Sequence, residues 1–459
     1  MGELRLLSAA SIVGYGFAEE SFERAIAGGV DLIAADGGST DPGPYYLGAG
    51  KCFTSYQAVK RDLTLMLRAA RRLNVPMIVG TAGGSGGAPH VAWAKEILEE
   101  IARQEQLHFK LALIHSEPDR DYLKTRVRLG KVTPAGPVGP LTEEATDRAE
   151  RIVAMMGTEP IAAALDQGAD VILAGRTSDA AIFAALPIKL GYDPGLAWHA
   201  GKILECASSC ALPKAHDCLL VTLRDDHFVV EAPNPKLKCA PIAIATHTLH
   251  ENESPVLHQE SNGVLDTSET RFDPVGDAAT RVSASVFRPS DRYTVKLEGV
   301  ELAGYRTIAI AGTRDPLLID RIDTYLEEVK TIVAEKARRL NVDPSTYRLI
   351  YRVYGHNAVM SDREPTVRSQ LDHTHQPSEL GLVIEVVAPT QEDATTVLAL
   401  ARTSTLHTDF PGRLCTEGNL AFPYSPSDIP LGPVYRFSVW HAVEPEHWSD
   451  LFRIEMCQV

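Results

Sequence analysis

Acids, hydroxyls and glycines follow directly on a predicted apolar strand, in the stretch 36–46. In an open parallel sheet, ligands bind in the crevice beyond the carboxyl ends of the strands, and Gly and Pro give such a loop a defined shape. Asp36 or Asp41 could orient a substrate hydroxyl or hold a divalent ion, while Ser39 and Thr40 could bind the substrate. The alternative is that these side chains only cap the next helix or satisfy the turn. Because they cluster, we predict an active site here, with Asp36 as a catalytic group.

A glycine-rich loop lies between the next predicted strand and helix, over residues 79–90. Gly83, Gly84 and Gly86 would expose backbone N–H groups at the start of that helix, where an anionic substrate could bind. The spacing matches neither the dinucleotide fingerprint nor a P-loop, so neither NAD nor ATP is indicated. A tight turn is the alternative, but the loop holds more glycine than a turn needs.

Ser85 lies in the same loop, inside a Gly-x-Ser-x-Gly pattern. This permits the hypothesis of a hydrolase in which Ser85 is the catalytic nucleophile and His90 or His115 is its base. The pattern arises easily in a glycine-rich tract, and the spacing identifies no acid–histidine pair. The hydrolase is therefore the second hypothesis rather than the first.

A third predicted strand leads into Arg176 and Asp179. The forked guanidinium suits a carboxylate or phosphate, so both residues are candidates for substrate binding. The alternative is a structural Arg176–Asp179 pair, with Ser178 or Asp179 as the N-cap of the next helix. Since consecutive strands of such sheets usually lie close together, we expect the loops at 36, 83 and 176 to share one crevice.

His199, Lys202 and Cys206 share one arc of the predicted helix 195–210, and Glu205 flanks them. As catalytic groups, His199 would move a proton and Lys202 would stabilise a developing enolate. Apolar residues share this arc, so a hydrogen-bonded core histidine and a small hydrophobic cysteine are the alternatives. We favour the functional interpretation because two polar residues on an apolar stripe need a partner.

His247, His250, Glu251 and Glu253 are of types that bind metals. Their spacing matches no standard metal site and their segment is loop-like, so we predict a solvated polar loop. The sequence leaves open whether the protein uses no cofactor or a divalent metal ion.

Composition excludes several functional classes. The chain has 459 residues and a formal net charge of −15, and nucleic acid is not an expected partner because binding its phosphates needs clustered Lys and Arg. Seven cysteines at irregular spacing indicate neither a disulfide framework nor a zinc ribbon. The N-terminus lacks an export pattern, and no run approaches the ~20 apolar residues of a membrane span. We predict a cytoplasmic protein without a membrane partner.

The elements that must position these residues alternate as β-α-β-α from residue 4 to about 185. This order predicts an α/β fold with a mostly parallel N-terminal sheet, followed by a β-rich middle segment over 217–315. From 306 onward the order becomes β-α-β-β-α-β, which predicts a smaller ferredoxin-like α+β C-terminal domain. The predicted domains are 1–300, α/β with a β-rich later part, and 301–459, ferredoxin-like.

Five motifs carry a family resemblance. They are Asp36-Gly-Gly-Ser-Thr-Asp-Pro-Gly-Pro-Tyr-Tyr-Leu-Gly, Thr81-Ala-Gly-Gly-Ser-Gly, Gly201-Lys-Ile-Leu-Glu-Cys, Thr222-Leu-Arg-Asp-Asp-His-Phe and Asn419-Leu-Ala-Phe-Pro. With these motifs in this order, the chain resembles the acyclic terpene utilisation (AtuA-like) family. The resemblance implies bacterial catabolism of branched acids and acyl-CoA thioesters, lyase action on hydroxyacyl-CoA compounds and a small companion protein as partner.

The leading hypothesis is accordingly a catabolic lyase that adds or removes water, or splits a C–C bond, in a branched hydroxy acid or its acyl-CoA thioester. The Gly83 loop and Arg176 would bind the acid, while His199 and Lys202 would carry the chemistry. A third hypothesis is a non-catalytic subunit that requires the small companion protein. We also expect a homo-oligomer.

Overall fold

The computed structural model describes residues 2–251, 254–360, 377–414 and 419–459. The chain divides into two compact units. The first comprises Met1–Glu301 together with Phe437–Val459, and the second comprises Leu302–Arg436. The division after 301 lies next to the predicted domain boundary, but 437–459 belong to the first unit because Arg453–Gln458 pairs with the strand Lys110–His115.

A ten-stranded mixed sheet organises the first unit. Its strands, in spatial order, are Arg271–Val275, Ala279–Ser283, His227–Glu231, Leu219–Leu223, Leu4–Ile12, Leu32–Asp36, Met77–Gly80, Val171–Ala174, Lys110–His115 and Arg453–Gln458. The five strands from Leu4–Ile12 to Lys110–His115 pair in parallel. The predicted α/β class is confirmed in this broad form.

The sheet is mixed rather than mostly parallel, because antiparallel strands extend both edges of the parallel centre. The β-rich segment does not form a layer of its own, since Leu219–Leu223 pairs with Leu4–Ile12 and the next strands follow by antiparallel pairing. Short connections favour antiparallel neighbours, whereas a parallel neighbour needs a long crossover. Only Leu257–Glu260, Gly263–Asp266 and Val286–Pro289 form a separate three-stranded sheet.

Helices pack on both faces of the central strands. In Leu32–Asp36, Leu32 and Ala34 enter one apolar core and Ile33 and Ala35 enter the other, as the two-residue period of a strand requires. The helices of this unit are Glu19–Ala27, Pro44–Ala49, Tyr56–Leu73, Ala88–Glu105, Arg120–Arg128, Glu143–Arg148, Thr158–Asp166, Ala181–Lys189, Pro194–Leu204 and Pro241–Thr248. Two short strands complete it: Arg151–Ala154 pairs with residues 297–300, and Val132–Pro134 pairs with residues 441–443.

The second unit has a core of its own, formed by helices against an antiparallel sheet. Leu380–Ala388 lies between Arg348–Tyr354 and residues 305–313 of the long strand Val295–Thr313. The helices are Pro316–Asp320, Ile322–Arg339 and Gln391–His407, and the strand Ile429–Val443 follows them in the chain. A ferredoxin-like arrangement of this unit stays a prediction.

Two further observations concern the predicted environment. In the parts of the chain that the structure describes, no helix is both long enough and apolar enough to cross a bilayer. The cysteines in those parts are free: Cys52, Cys206, Cys210, Cys218, Cys239 and Cys457.

Candidate active site

The three loops predicted to share a crevice do meet in the first unit. A Cβ on Gly38 would lie 2.6 Å from the carbonyl oxygen of Gly84, and a Cβ on Gly86 would lie 2.2 Å from the amide nitrogen of Arg176. Both glycines have positive φ, +141° and +71°. Contact this close between backbones is possible only without a side chain, so the glycines serve to bring the strand ends together.

Asp36 lies at the centre of this junction, at the end of the strand Leu32–Asp36. Its carboxyl group is buried, and Oδ2 accepts a hydrogen bond from the Gly38 amide at 3.2 Å. Oδ1 is also buried and makes no hydrogen bond to any residue that the structure describes. Burial raises the pKa of Asp36 well above its ordinary value, the Asp179 carboxyl raises it further, and Arg176 acts in the opposite direction.

Arg176 is held by the protein itself. Its Nε donates to Glu298 Oε2 at 2.8 Å, and its Nη1 donates to Asp179 Oδ1 at 3.3 Å and to the Thr177 carbonyl at 2.7 Å. Lys296 forms a second ion pair with Glu298, at 2.8 Å. The guanidinium thus supplies positive potential at the crevice, but its hydrogen bonds match the structural-pair alternative better than a free receptor for a substrate carboxylate.

The helix N-terminus beside the glycine-rich loop is occupied as well. Glu117 Oε1 accepts a hydrogen bond from the Ala88 amide at 2.6 Å and pairs with Arg151 at 3.3 Å. A carboxylate of the protein therefore stands where the sequence predicts a substrate anion, because a helix N-terminus attracts any negative group that can reach it.

Ser85 does not contact the histidines proposed as its base. It is completely buried, and its Oγ donates to the Ser39 carbonyl at 3.5 Å. His90 Nε2 contacts the Tyr46 carbonyl at 3.0 Å, and His115 Nε2 contacts Glu455 at 3.3 Å. This geometry gives the hydrolase hypothesis no nucleophile–base pair.

The remaining residues of the first loop stabilise its turn. Ser39 Oγ donates to Asp41 Oδ2 at 2.9 Å and accepts from the Asp41 amide at 3.1 Å. Thr40 is buried, and its Oγ1 has no hydrogen-bond partner among the described residues. Thr40 Oγ1 is therefore a buried polar atom of this loop that a substrate group could satisfy.

His199 is a core histidine. The ring is completely buried, with Nδ1 2.7 Å from Ser285 Oγ and Nε2 2.9 Å from Thr248 Oγ1. Phe228 and Phe272 contact the ring in T-shaped geometry, and burial lowers the pKa of His199 to about 3. Both ring nitrogens hydrogen-bond to hydroxyl groups of the protein. This agrees with a hydrogen-bonded core histidine rather than with a histidine that transfers a proton to a substrate.

Lys202 lies one turn further along the same helix and forms a buried ion pair, with its Nζ 2.5 Å from Glu205 Oε1. Burial alone would lower the pKa of Lys202, but Glu205 outweighs this and the pKa is raised. Lys202 also lowers the pKa of Asp179, although burial leaves that pKa raised overall. Lys202 is therefore a second fixed positive charge near the crevice.

Glu260 joins this group of residues, although no sequence pattern identifies it. It ends the strand Leu257–Glu260, and its Oε2 accepts a hydrogen bond from Ser178 Oγ at 2.9 Å. Burial raises the pKa of Glu260 to about 8, and the carboxyls of Glu205 and Asp179 add to this. We call Asp36, Asp179 and Glu260 the carboxyl cluster.

The histidines considered as metal ligands do not all lie in the solvated polar loop that the sequence predicts. His247 is buried on the helix Pro241–Thr248 rather than in a solvated loop, and its ring stacks on His250 at 5.4 Å. His250 pairs with Glu251 at 3.2 Å, while Glu253 lies outside the described residues. His247 approaches Glu205 and Cys206, whose donor atoms lie with its own within 4.8 Å of one another.

Comparison with known proteins gives one match. Residues 55–216, about a third of the chain, match the model of the family described as "Acyclic terpene utilisation family protein AtuA". This confirms the resemblance across the segment that contains the glycine-rich loop, Arg176, Asp179 and Lys202. No curated protein and no solved structure matches the chain.

Proposed function

We propose that this AtuA-like chain is a catabolic lyase that adds or removes water, or splits a C–C bond, in a branched hydroxy acid or its acyl-CoA thioester. The family description supports a role in acyclic terpene utilisation and is consistent with catabolism. The proposed lyase chemistry rests on one observation, which is that the carboxyl cluster lies beside Arg176 and Lys202. Such a cluster offers both proton donors and proton acceptors next to fixed positive charge.

In the dehydration direction, the proposed step breaks a C–H bond next to the carbonyl and the C–O bond of the β-hydroxyl. Asp179, whose side chain is about a third exposed, takes the α-proton as its carboxylate. Glu260 is mostly protonated near neutral pH and gives its proton to the departing hydroxyl, which leaves as water. A C=C bond forms, and the two carboxyl groups exchange protonation states.

The positive groups would stabilise charge that develops on the carbonyl oxygen. Lys202 and Arg176 are both buried and held by ion pairs, so little reorganisation is needed when an enolate forms. Asp36 would hydrogen-bond a substrate hydroxyl, since its Oδ1 has no hydrogen-bond partner among the described residues. His199 and Ser85 have no part in this scheme, because their polar atoms are directed at other groups of the protein.

The test uses purified full-length chain and a panel of branched 3-hydroxy acids and their CoA thioesters, with formation of the unsaturated product followed by absorbance. Glu260→Gln keeps the shape and removes the proton, so we expect kcat to fall by about 10²- to 10⁴-fold. Glu105→Gln, at an exposed pair with Arg68, is the matched control and should leave turnover unchanged. Wild-type turnover with full activity in Glu260→Gln would refute the assigned role.

The proposal includes binding of a small companion protein and assembly into a homo-oligomer. Size-exclusion chromatography with light scattering, on the chain alone and co-expressed with the small companion protein, measures the oligomeric state and the binding of the companion. Turnover by the chain alone would exclude the purely non-catalytic subunit, whereas turnover only in the co-purified complex would favour it.

A further inference from the structure

Three metal-binding side chains converge where the helix Pro194–Leu204 ends. The carboxylate of Glu205, the Sγ of Cys206 and a ring nitrogen of His247 lie within 4.8 Å of one another. Glu205 and Cys206 are consecutive in the chain, and His247 comes from the separate helix Pro241–Thr248. The trio therefore depends on the packing of two helices, not on a local sequence motif.

An independent observation points to a ligand. His247 is only 8% exposed, and its buried Nε2 has no hydrogen-bond partner in the described ranges of the chain. A buried ring nitrogen without a partner is destabilising unless a proton donor or a metal satisfies it.

A cavity borders one of the three residues. A cavity of about 250 Å³ is lined by His247 together with His250, Thr246 and Lys214. The cavity thus brings solvent next to the helix that carries His247.

We propose that Glu205, Cys206 and His247 bind one divalent metal ion of the borderline-soft class, with Zn²⁺ as the best fit. Carboxylate, thiolate and imidazole are the three donor types that zinc takes from proteins, and three protein ligands leave a fourth position open. Mg²⁺ and Ca²⁺ prefer all-oxygen sites, so the thiol and the imidazole select against them. On binding, the S–H bond of Cys206 breaks, the sulfur becomes a ligand and its proton passes to solvent.

Lys202 is compatible with this site. Its ammonium contacts Oε1 of Glu205, so a metal ion would bind this carboxylate through the other oxygen. An outer partner of this kind orients a ligating carboxylate.

The test adds Co²⁺ to reduced, chelator-treated full-length protein. We expect about one equivalent to bind with a sulfur-to-cobalt charge-transfer band and tetrahedral d–d bands, and Zn²⁺ to displace it. Loss of even an outer-sphere partner weakens metal binding by roughly 10–100-fold, so His247→Gln should weaken it at least that much. Cys206→Ser should abolish the charge-transfer band, whereas Cys457→Ser, at another half-buried cysteine, should keep it.

Circular dichroism and thermal unfolding establish that each variant is folded before titration. Absence of the band in folded wild-type protein, or its persistence in Cys206→Ser, would overturn the proposal. The readout is spectroscopic and needs no substrate, so failure here leaves the proposed lyase activity standing, and failure of the activity assay leaves this site standing.

Discussion

Replacing Glu298 by Gln tests the electrostatic support of the crevice. Glu298 is almost fully buried, with 1% of its side chain exposed, and it pairs with Arg176 Nε and with Lys296, each at 2.8 Å. Burial acts to raise the pKa of Glu298, but the two cations outweigh it and lower the pKa from 4.5 to about 2. The variant keeps the side-chain volume and removes the charge.

The magnitude follows from that pKa. One pKa unit corresponds to about 1.4 kcal/mol, so ionisation of Glu298 contributes roughly 3 kcal/mol to folding at neutral pH. Removing one partner of a buried ion pair costs about 3–5 kcal/mol because the other charge is left uncompensated. We therefore expect Glu298→Gln to lower the free energy of unfolding by about 3–5 kcal/mol.

The dependence on pH has a definite sign. The folded pKa is below the unfolded one, so the unfolded chain binds more protons and the contribution is complete above about pH 4.5. It is lost as pH falls from 4.5 towards 2. The wild-type protein should therefore lose more stability than Glu298→Gln over this interval.

Urea unfolding followed by tryptophan fluorescence measures the effect, since all four tryptophans belong to the first unit. Glu105→Gln is again the control, because its pair with Arg68 lies at the surface, where solvent screens the charges and an ion pair contributes little to stability. A loss below about 1 kcal/mol in Glu298→Gln, or parallel acid profiles for the variant and the wild type, would refute the reasoning.

Three further outcomes are expected. Gly86→Ala should lower the free energy of unfolding of the first unit, measured in urea, by at least about 1–3 kcal/mol. The positive φ strains a residue with a side chain, and the new Cβ would also lie 2.2 Å from the amide nitrogen of Arg176. A variant as stable as the wild type would contradict this packing. His199→Ala should cost roughly 2–5 kcal/mol and leave the pH profile of kcat unchanged, whereas a stable variant without turnover would restore His199 as a catalytic group. Turnover in the dehydration direction should fall as pH rises through about 8, where Glu260 loses its proton, and a flat profile up to pH 10 would argue against Glu260 as the acid.

The meeting of the three loops was predictable because its determinants are local. Polar and glycine-rich loops after apolar runs mark the ends of parallel strands, and those ends must lie at one edge. Local patterns do not identify Glu298 or Glu260 as neighbours of these loops. Both residues lie in the β-rich part of the chain, and strand pairing that no local pattern specifies positions them. The mixed character of the sheet was missed for the same reason.

The roles of individual residues were less predictable than their positions. The helical wheel placed His199 on a stripe with apolar residues, and it could not decide between a core and a catalytic histidine. The decision depends on Ser285 and Thr248, which are 86 and 49 residues away in sequence. The sequence identifies Arg176 as a candidate anion-binding cation. It does not identify Glu298, 122 residues later, as the ion-pair partner of Arg176.

The pairing of Arg453–Gln458 with Lys110–His115 affects how the chain can fold during synthesis. Residues 115 and 455 are 340 positions apart, so one edge of the nascent parallel sheet stays unpaired while the whole second unit is translated. Open strand edges favour association with other chains, and such distant contacts form slowly. We therefore expect the ribosome-bound intermediate, with this strand edge open, to be prone to aggregation.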